Sequence, residues 1–132
     1  MSTKFITISE AQYDSIIKNA DANSVFVAEI DGNEIKSRDD YLSAIWETFK
    51  FPQTGHMNYY AYLDWIRDLD WIDANQFVLV IRNYDNLLEQ SPKDKEVIIN
   101  SLSKTVIPWW ESEIKQYQVE GKAKPFNVYL ID

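Results

Sequence analysis

The sequence has no cysteine, one histidine (His56) and three glycines among 132 residues. Without cysteine there is no disulfide framework, no thiolate nucleophile and no cysteine-ligated zinc site. A single histidine excludes a two-histidine metal site, and a Ser-His-Asp triad would have to be built around this one loop residue. None of the glycines has the GxGxxG or GxxxxGK spacing of a phosphate-binding loop. We therefore expect a protein that is not an enzyme and binds no cofactor or metal.

Positive charge is also scarce. Lysine and arginine number 13 against 21 aspartates and glutamates, a formal net charge of −8. This balance argues against a nucleic-acid partner, because nucleic-acid binding depends on cations that neutralise phosphates. It suits a basic protein partner, although many domains are acidic for solubility alone.

Long apolar runs are absent as well. No stretch of roughly 18 apolar residues suggests a membrane span, and the N-terminal MSTKFITISEAQ lacks the apolar core and cleavage site of a signal peptide. We therefore expect no membrane association and a location in the reducing cytoplasm.

What the chain does contain is a regular alternation of apolar strands and amphipathic helices. With 45% hydrophobic residues, 132 residues suffice for one domain over 1–132. The patterns predict strands at 25–30, at 77–81 and in the final PFNVYLI. They also predict a helix from Ser37 that ends before Pro52 and a short helix over 84–90. A long helix should begin at Lys93, be kinked or split by Pro108 and end at Gly121. Strands separated by helices predict an α/β fold with a parallel sheet.

Residues 1–22 form an addition at the N-terminus. Ser9 and Gln12 have the spacing of a capping box, and apolar residues recur at helical spacing behind them. This segment is either an extra helix packed on the domain or a docking arm for a partner.

The segment Phe51 to Asp73 contains a helix with two different faces. Asn58 suits its N-cap, because its side-chain oxygen can accept from a free backbone N–H of the first turn. At 100° per residue one side is apolar and the other is polar, with Asp64 near the middle of the polar side. The polar residues are Tyr60, Asp64, Arg67 and Asp68, and the apolar ones are Tyr59, Tyr62, Leu63, Trp65, Ile66 and Leu69.

This segment resembles the barstar family of ribonuclease inhibitors. The resemblance rests on an aromatic residue before Pro52, a loop containing Gly55, and the pattern Asn-x-x-Ala-x-x-Asp at Asn58, Ala61 and Asp64. The order of elements is similar over residues 25–132. The resemblance implies a three-stranded parallel sheet packed with helices, to which the N-terminal helical segment would be added.

The chain departs from the family pattern at two places. His56 occupies the position two residues before the asparagine, where glycine is usual, and Gly55 stands one place early. Tyr60 occupies a position that is commonly acidic in the family.

The resemblance also implies a binding mechanism. A ribonuclease pocket presents cations to a phosphodiester, and a carboxylate on a rigid helix can take the phosphate position. Asp64 would enter the pocket, Tyr60 would add flat contact area, and Leu63 and His56, beside Gly55, would limit access of water. Arg67 and Asp68 would lie at the rim. The family pattern suggests a further acid on the last helix, for which Glu111 and Glu113 are both candidates. The partner would be a basic, extracellular-type ribonuclease or a related toxin.

Two other classes of function remain. One is a barstar-like interaction or immunity domain whose basic partner is not a ribonuclease, for which Tyr60 and residues 1–22 are the motivation. The other is a small carbohydrate-active or ligand-binding domain that uses Asp64 with Asp68, although such chemistry needs a cleft.

Overall fold

Four strands form one parallel sheet in the computed structural model, which describes residues 5–19, 24–52, 57–118 and 121–132. The strands are β1 (Phe5–Thr7), β2 (Val25–Asp31), β3 (Gln76–Arg82) and β4 (Phe126–Ile131), in the order β1-β4-β3-β2. All neighbouring pairs are parallel. The prediction of an α/β fold with a parallel sheet is confirmed.

The expected number of three strands is wrong. Residues of the N-terminal addition form β1, in which Phe5 pairs with Val128 and Thr7 with Leu130 of β4. The outer edge of β4 offers free N–H and C=O groups, and a short apolar run supplies their partners. The fourth strand therefore comes from outside the region of resemblance.

The helices follow the predicted order with changed boundaries. They are α1 (Glu10–Lys18), α2 (Arg38–Thr48), α3 (Tyr59–Ile66), α4 (Pro92–Asn100) and α5 (Ile114–Tyr117), with π-helical stretches at Ser101–Val106 and Trp109–Glu113. Short 3₁₀ turns lie at Gly32–Glu34 and Tyr84–Asn86, so the helix expected over 84–90 is only one turn. The helix expected to end at Gly121 ends at Tyr117.

Side chains cap the N-terminal ends of three predicted helices, as expected for Ser9 and Asn58. Ser9 and Gln12 make both hydrogen bonds of a capping box at α1. The Ser37 side chain accepts from the Asp40 N–H at 3.1 Å, and the Asn58 side chain accepts from the Ala61 N–H at 2.9 Å. Each cap satisfies a backbone donor that the helix leaves free.

The helix is not split at Pro108. Residues 92–117, which we call the last helical segment, are helical throughout, and the hydrogen bonding changes from α to π on both sides of the proline. Proline cannot donate to the carbonyl four residues before it and its ring crowds that carbonyl, so a shift to wider pairing keeps the segment helical.

The two faces of the sheet are covered by different parts of the chain. Alternate strand residues such as Phe77 and Leu79 face the main core, which also contains buried residues of α2, α3 and the last helical segment. Val78 and Val80 face the other side, where they pack with Ile8 and Tyr13. The period of two along a strand produces this division. Residues 8–17 thus cover the second face of the sheet.

Arg82 at the end of β3 fastens α1 to the sheet. Its guanidinium forms ion pairs with Glu10 of α1 and Glu29 of β2, and it lies 5.2 Å from the ring centroid of Tyr13. The Tyr13 hydroxyl donates to Glu29 at 3.3 Å. Burial, with the Glu29 carboxylate beside it, raises the pKa of Tyr13 to about 12. The aromatic hydroxyl therefore stays protonated as a donor.

Within the described residues, no helix has both the length and the apolar character needed to cross a membrane.

Candidate partner-binding face

Helix α3 is held in place from its buried side by a chain of hydroxyl groups. Tyr62 is fully buried and its hydroxyl lies 2.9 Å from both the Tyr41 hydroxyl and the Ser101 Oγ. Ser101 in turn donates to the Ile98 carbonyl at 2.6 Å. Burial raises the pKa of Tyr62 to about 12 and that of Tyr41 well above its usual range. The chain of neutral hydroxyls joins α2, α3 and the last helical segment.

Replacing Tyr62 with phenylalanine should therefore lower the free energy of unfolding by roughly 1–3 kcal/mol, because the Tyr41 and Ser101 hydroxyls lose a buried partner. Urea denaturation measures this change. Tyr60→Phe is the matched control, and its exposed hydroxyl predicts a change within about 0.5 kcal/mol. Equal effects of the two variants would contradict the role of the buried chain.

Two tryptophan side chains cap the C-terminal end of α3. The indole N–H of Trp110 donates to the Ile66 carbonyl at 3.0 Å, and that of Trp109 donates to the Arg67 carbonyl at 2.8 Å. These carbonyls have no partner within the helix. Both tryptophans are buried. The sequence contains no signal for this capping role, because the indoles come from more than 40 residues away.

Two predicted residues stand together on the exposed side of α3. The Asp64 side chain is 80% exposed and Tyr60, one turn earlier, is 77% exposed. Tyr62 and Ile66 are buried on the opposite side. The two-faced helix predicted from periodicity is therefore confirmed, with Asp64 in the middle of its outer surface. We call Tyr60, Asp64, Arg67 and Asp68 the α3 face.

Arg67 lies beside Asp64. Its Nη2 is 3.5 Å from Asp64 Oδ1, and its Nε donates to the Leu63 carbonyl at 3.0 Å. The guanidinium carbon lies 5.4 Å from the ring centroid of Trp109. The side chain is 33% exposed. Leu63 itself is half-buried and packs against the main core.

Asp68 lies just beyond the C-terminal end of α3. The helix ends at Ile66, and Leu69 has a positive φ of 55°, so Asp68 lies in the turn that follows. The Asp70 N–H donates to the Asp68 carboxylate at 3.3 Å. Partial burial and the neighbouring Asp70 carboxylate raise the pKa of Asp68.

A groove of about 440 Å³ begins at this turn. Its lining includes Asp68, Asp70 and Asp73 with Trp110 and Lys124, and Asp64 is not part of it. The two carboxylates that a glycosidase-like site would need are thus not brought together in this groove. Among the described residues no group of three histidine, aspartate or glutamate side chains is arranged to hold a metal ion.

The structure describes only some of the remaining predicted residues. Glu111 and Glu113 lie half-buried on the π-helical stretch Trp109–Glu113. Gly55 and His56 fall outside the described residues. Tyr117, at the end of the last helical segment, is 72% exposed and stacks on Trp109.

The charge balance near α3 is acidic. Residues 57–73 contain one cation, Arg67, and four carboxylates, so their net charge is 1 − 4 = −3. The carboxylates are those of Asp64, Asp68, Asp70 and Asp73. A convex acidic helix with an exposed aromatic ring is suited to contact a basic protein surface.

Comparison with known families agrees with this arrangement. A family model described as Barstar (barnase inhibitor) matches residues 25–130, which include β2, β3, all but the last residue of β4, and the α3 face. A search of curated protein sequences found no match. Strand β1 and helix α1 precede the matched region. Because the family model spans most of the chain, this protein belongs to the barstar family.

Proposed function

We propose that this protein is a cytoplasmic inhibitor of a basic ribonuclease and that it blocks the active site of the enzyme with the α3 face. The observation that carries the proposal is Asp64, 80% exposed at the centre of a helix that is fixed from behind. A rigid carboxylate loses little conformational freedom when it enters a cationic pocket. The membership of the barstar family, described by its barnase-inhibitor name, supports the same partner class.

In this mechanism Asp64 takes the place of a substrate phosphate. The arginines, lysines and protonated histidine of a ribonuclease pocket are left without an anion in the free enzyme, and a carboxylate can accept hydrogen bonds from them. Tyr60 supplies a ring that covers apolar surface around the pocket. The backbone of α3 is held by the Tyr62 hydroxyl chain and by the indoles of Trp109 and Trp110, so the helix that carries Asp64 is fixed in position. Gly55 and His56, which precede α3 in the sequence, complete the proposed contact surface together with Leu63.

The experiment that tests the proposal is calorimetric titration of this protein into a barnase-type ribonuclease, with the ribonuclease activity measured in parallel. One-to-one binding that abolishes the activity supports the proposal. Binding without loss of activity would place the contact outside the active site and contradict it.

A second candidate is a barstar-like interaction domain for a basic protein that is not a ribonuclease. The observation in its favour is Tyr60, an exposed aromatic ring at a position that is commonly acidic in the family. Absence of binding to a panel of basic ribonucleases, together with co-purification of a basic protein that has no nuclease activity, favours this candidate.

The charge of the protein predicts that its association with the ribonuclease depends on salt. Opposite net charges speed the diffusional encounter, and screening shortens the reach of the attraction as salt rises. We expect the association rate constant to fall at least about tenfold between low salt and about 0.5 M NaCl. Stopped-flow fluorescence measures it, and the dissociation rate should change less. An association rate that does not depend on salt would contradict electrostatic steering.

A further inference from the structure

Arg67 gives Asp64 a cationic neighbour within the free protein. Their atoms are 3.5 Å apart, the upper end of hydrogen-bond distance, and both side chains reach solvent. Exposed ion pairs of this kind contribute little to stability. The Asp64 contact is therefore easily exchanged for a contact with another cation.

The other contacts of Arg67 keep its charge in position. The Nε group donates to the Leu63 carbonyl at 3.0 Å, and the guanidinium lies over the buried Trp109 ring. Neither contact involves Asp64, so both persist when a partner's cation takes over the carboxylate. The guanidinium then remains close to that cation, and like charges at such a distance repel each other.

We propose that Arg67 competes with the partner's cation for Asp64 and directs that cation to the side of Tyr60. This inference rests on the proposed function of the α3 face. Tyr60 lies one turn towards the N-terminus of α3, and side chains four residues apart on a helix are neighbours. Its exposed ring offers a face on which a guanidinium or ammonium group is attracted. The site is thus a carboxylate with a repelling cation on one side and an aromatic ring on the other, and it fits a partner arginine that lies flat on Tyr60.

The test compares three variants of the full chain in binding to a barnase-type ribonuclease. Arg67→Gln removes the competing charge and should tighten binding by roughly three- to fivefold, the upper range expected of an exposed ion pair. Arg67→Lys keeps a charge but loses the Nε contact and the planar stacking that hold the charge beside Asp64, so it should tighten binding less than Arg67→Gln does.

Arg38→Gln is the matched control for net charge. Arg38 pairs with Asp94 at 2.8 Å and lies over the Tyr59 ring, so it too is an arginine beside a carboxylate and an aromatic ring. Its removal changes the net charge by the same amount as removal of Arg67, and we expect it to change the dissociation constant by less than about twofold in 0.15 M salt.

A fourth variant tests the direction of approach. Tyr60→Leu should weaken binding of the unmodified protein several-fold and should weaken the Arg67→Gln variant less, because the cation can then occupy either side of Asp64. Identical effects of Tyr60→Leu in both backgrounds would overturn the directing role.

The outcomes separate the two proposals. Binding that is unchanged or weakened by Arg67→Gln overturns the competition, while the inhibitor function stands. Equal tightening by Arg67→Gln and Arg67→Lys attributes the effect to loosened structure and also overturns it. A ribonuclease that binds none of these proteins overturns the proposed function and this inference together.

Discussion

Replacing Asp64 with alanine should weaken binding to a barnase-type ribonuclease by at least about 30-fold, which corresponds to the loss of roughly 2 kcal/mol that marks an interface hot spot. The carboxylate is the proposed anion in a pocket of cations, and its removal leaves those cations buried and unpaired in the complex. The loss should appear mainly as faster dissociation. Titration calorimetry and stopped-flow displacement measure both quantities.

Asp73→Ala is the matched control for this variant. Asp73 is exposed and lies in the loop before β3. Its replacement removes one negative charge, as Asp64→Ala does, and leaves the residues of the α3 face unchanged. We expect a change in affinity below about threefold, caused by weaker steering. Asp64 is exposed, and its substitution should leave the unfolding midpoint almost unchanged. Equal and small effects of the two variants would contradict the central role of Asp64.

Replacing Tyr13 with alanine should lower the free energy of unfolding by about 3 kcal/mol. Tyr13 is buried against the second face of the sheet, where it packs with Val78 and Val80. The substitution removes that packing, the hydrogen bond to Glu29 and the stacking with Arg82. Thermal or urea unfolding followed by circular dichroism measures the loss.

Tyr117→Ala provides the comparison, because this tyrosine is 72% exposed and should cost less than about 1 kcal/mol. We propose that the N-terminal addition and the barstar-like region form one domain, so the Tyr13→Ala variant should still unfold in a single transition. Separate transitions, or a negligible loss of stability, would show that residues 5–19 are only loosely attached. Affinity for the ribonuclease should be nearly unchanged, since Tyr13 packs on the face of the sheet opposite to α3.

Much of the local structure was predictable from the sequence. The caps at Ser9, Ser37 and Asn58, the buried strand β3 and the exposed position of Asp64 all follow from patterns within a few residues of one another. Side-chain capping and helical or strand periodicity act over one or two turns. These local predictions hold in the folded protein because the core is built from the same apolar faces that the periodicity identifies.

The sequence does not predict features that depend on contacts between distant segments of the chain. Strand β1 forms because β4, more than 100 residues later, has a free edge. Helix α3 ends at Ile66, where the indole of Trp110 donates to the carbonyl, and Asp68 lies in the turn that follows. No feature near Phe5 or Asp68 in the sequence reports either event.

The sequence by itself determined the α/β class, the helix that carries Asp64, the acidic balance around it and the resemblance to the barstar family. Each of these depends on residue types and short spacings. The tertiary structure alone decided that α1 covers the second face of the sheet, that the indoles of Trp109 and Trp110 cap the end of α3, and that the Trp109 ring packs against the Arg67 guanidinium. These features join segments far apart in the chain, and only packing of the complete core brings them into contact.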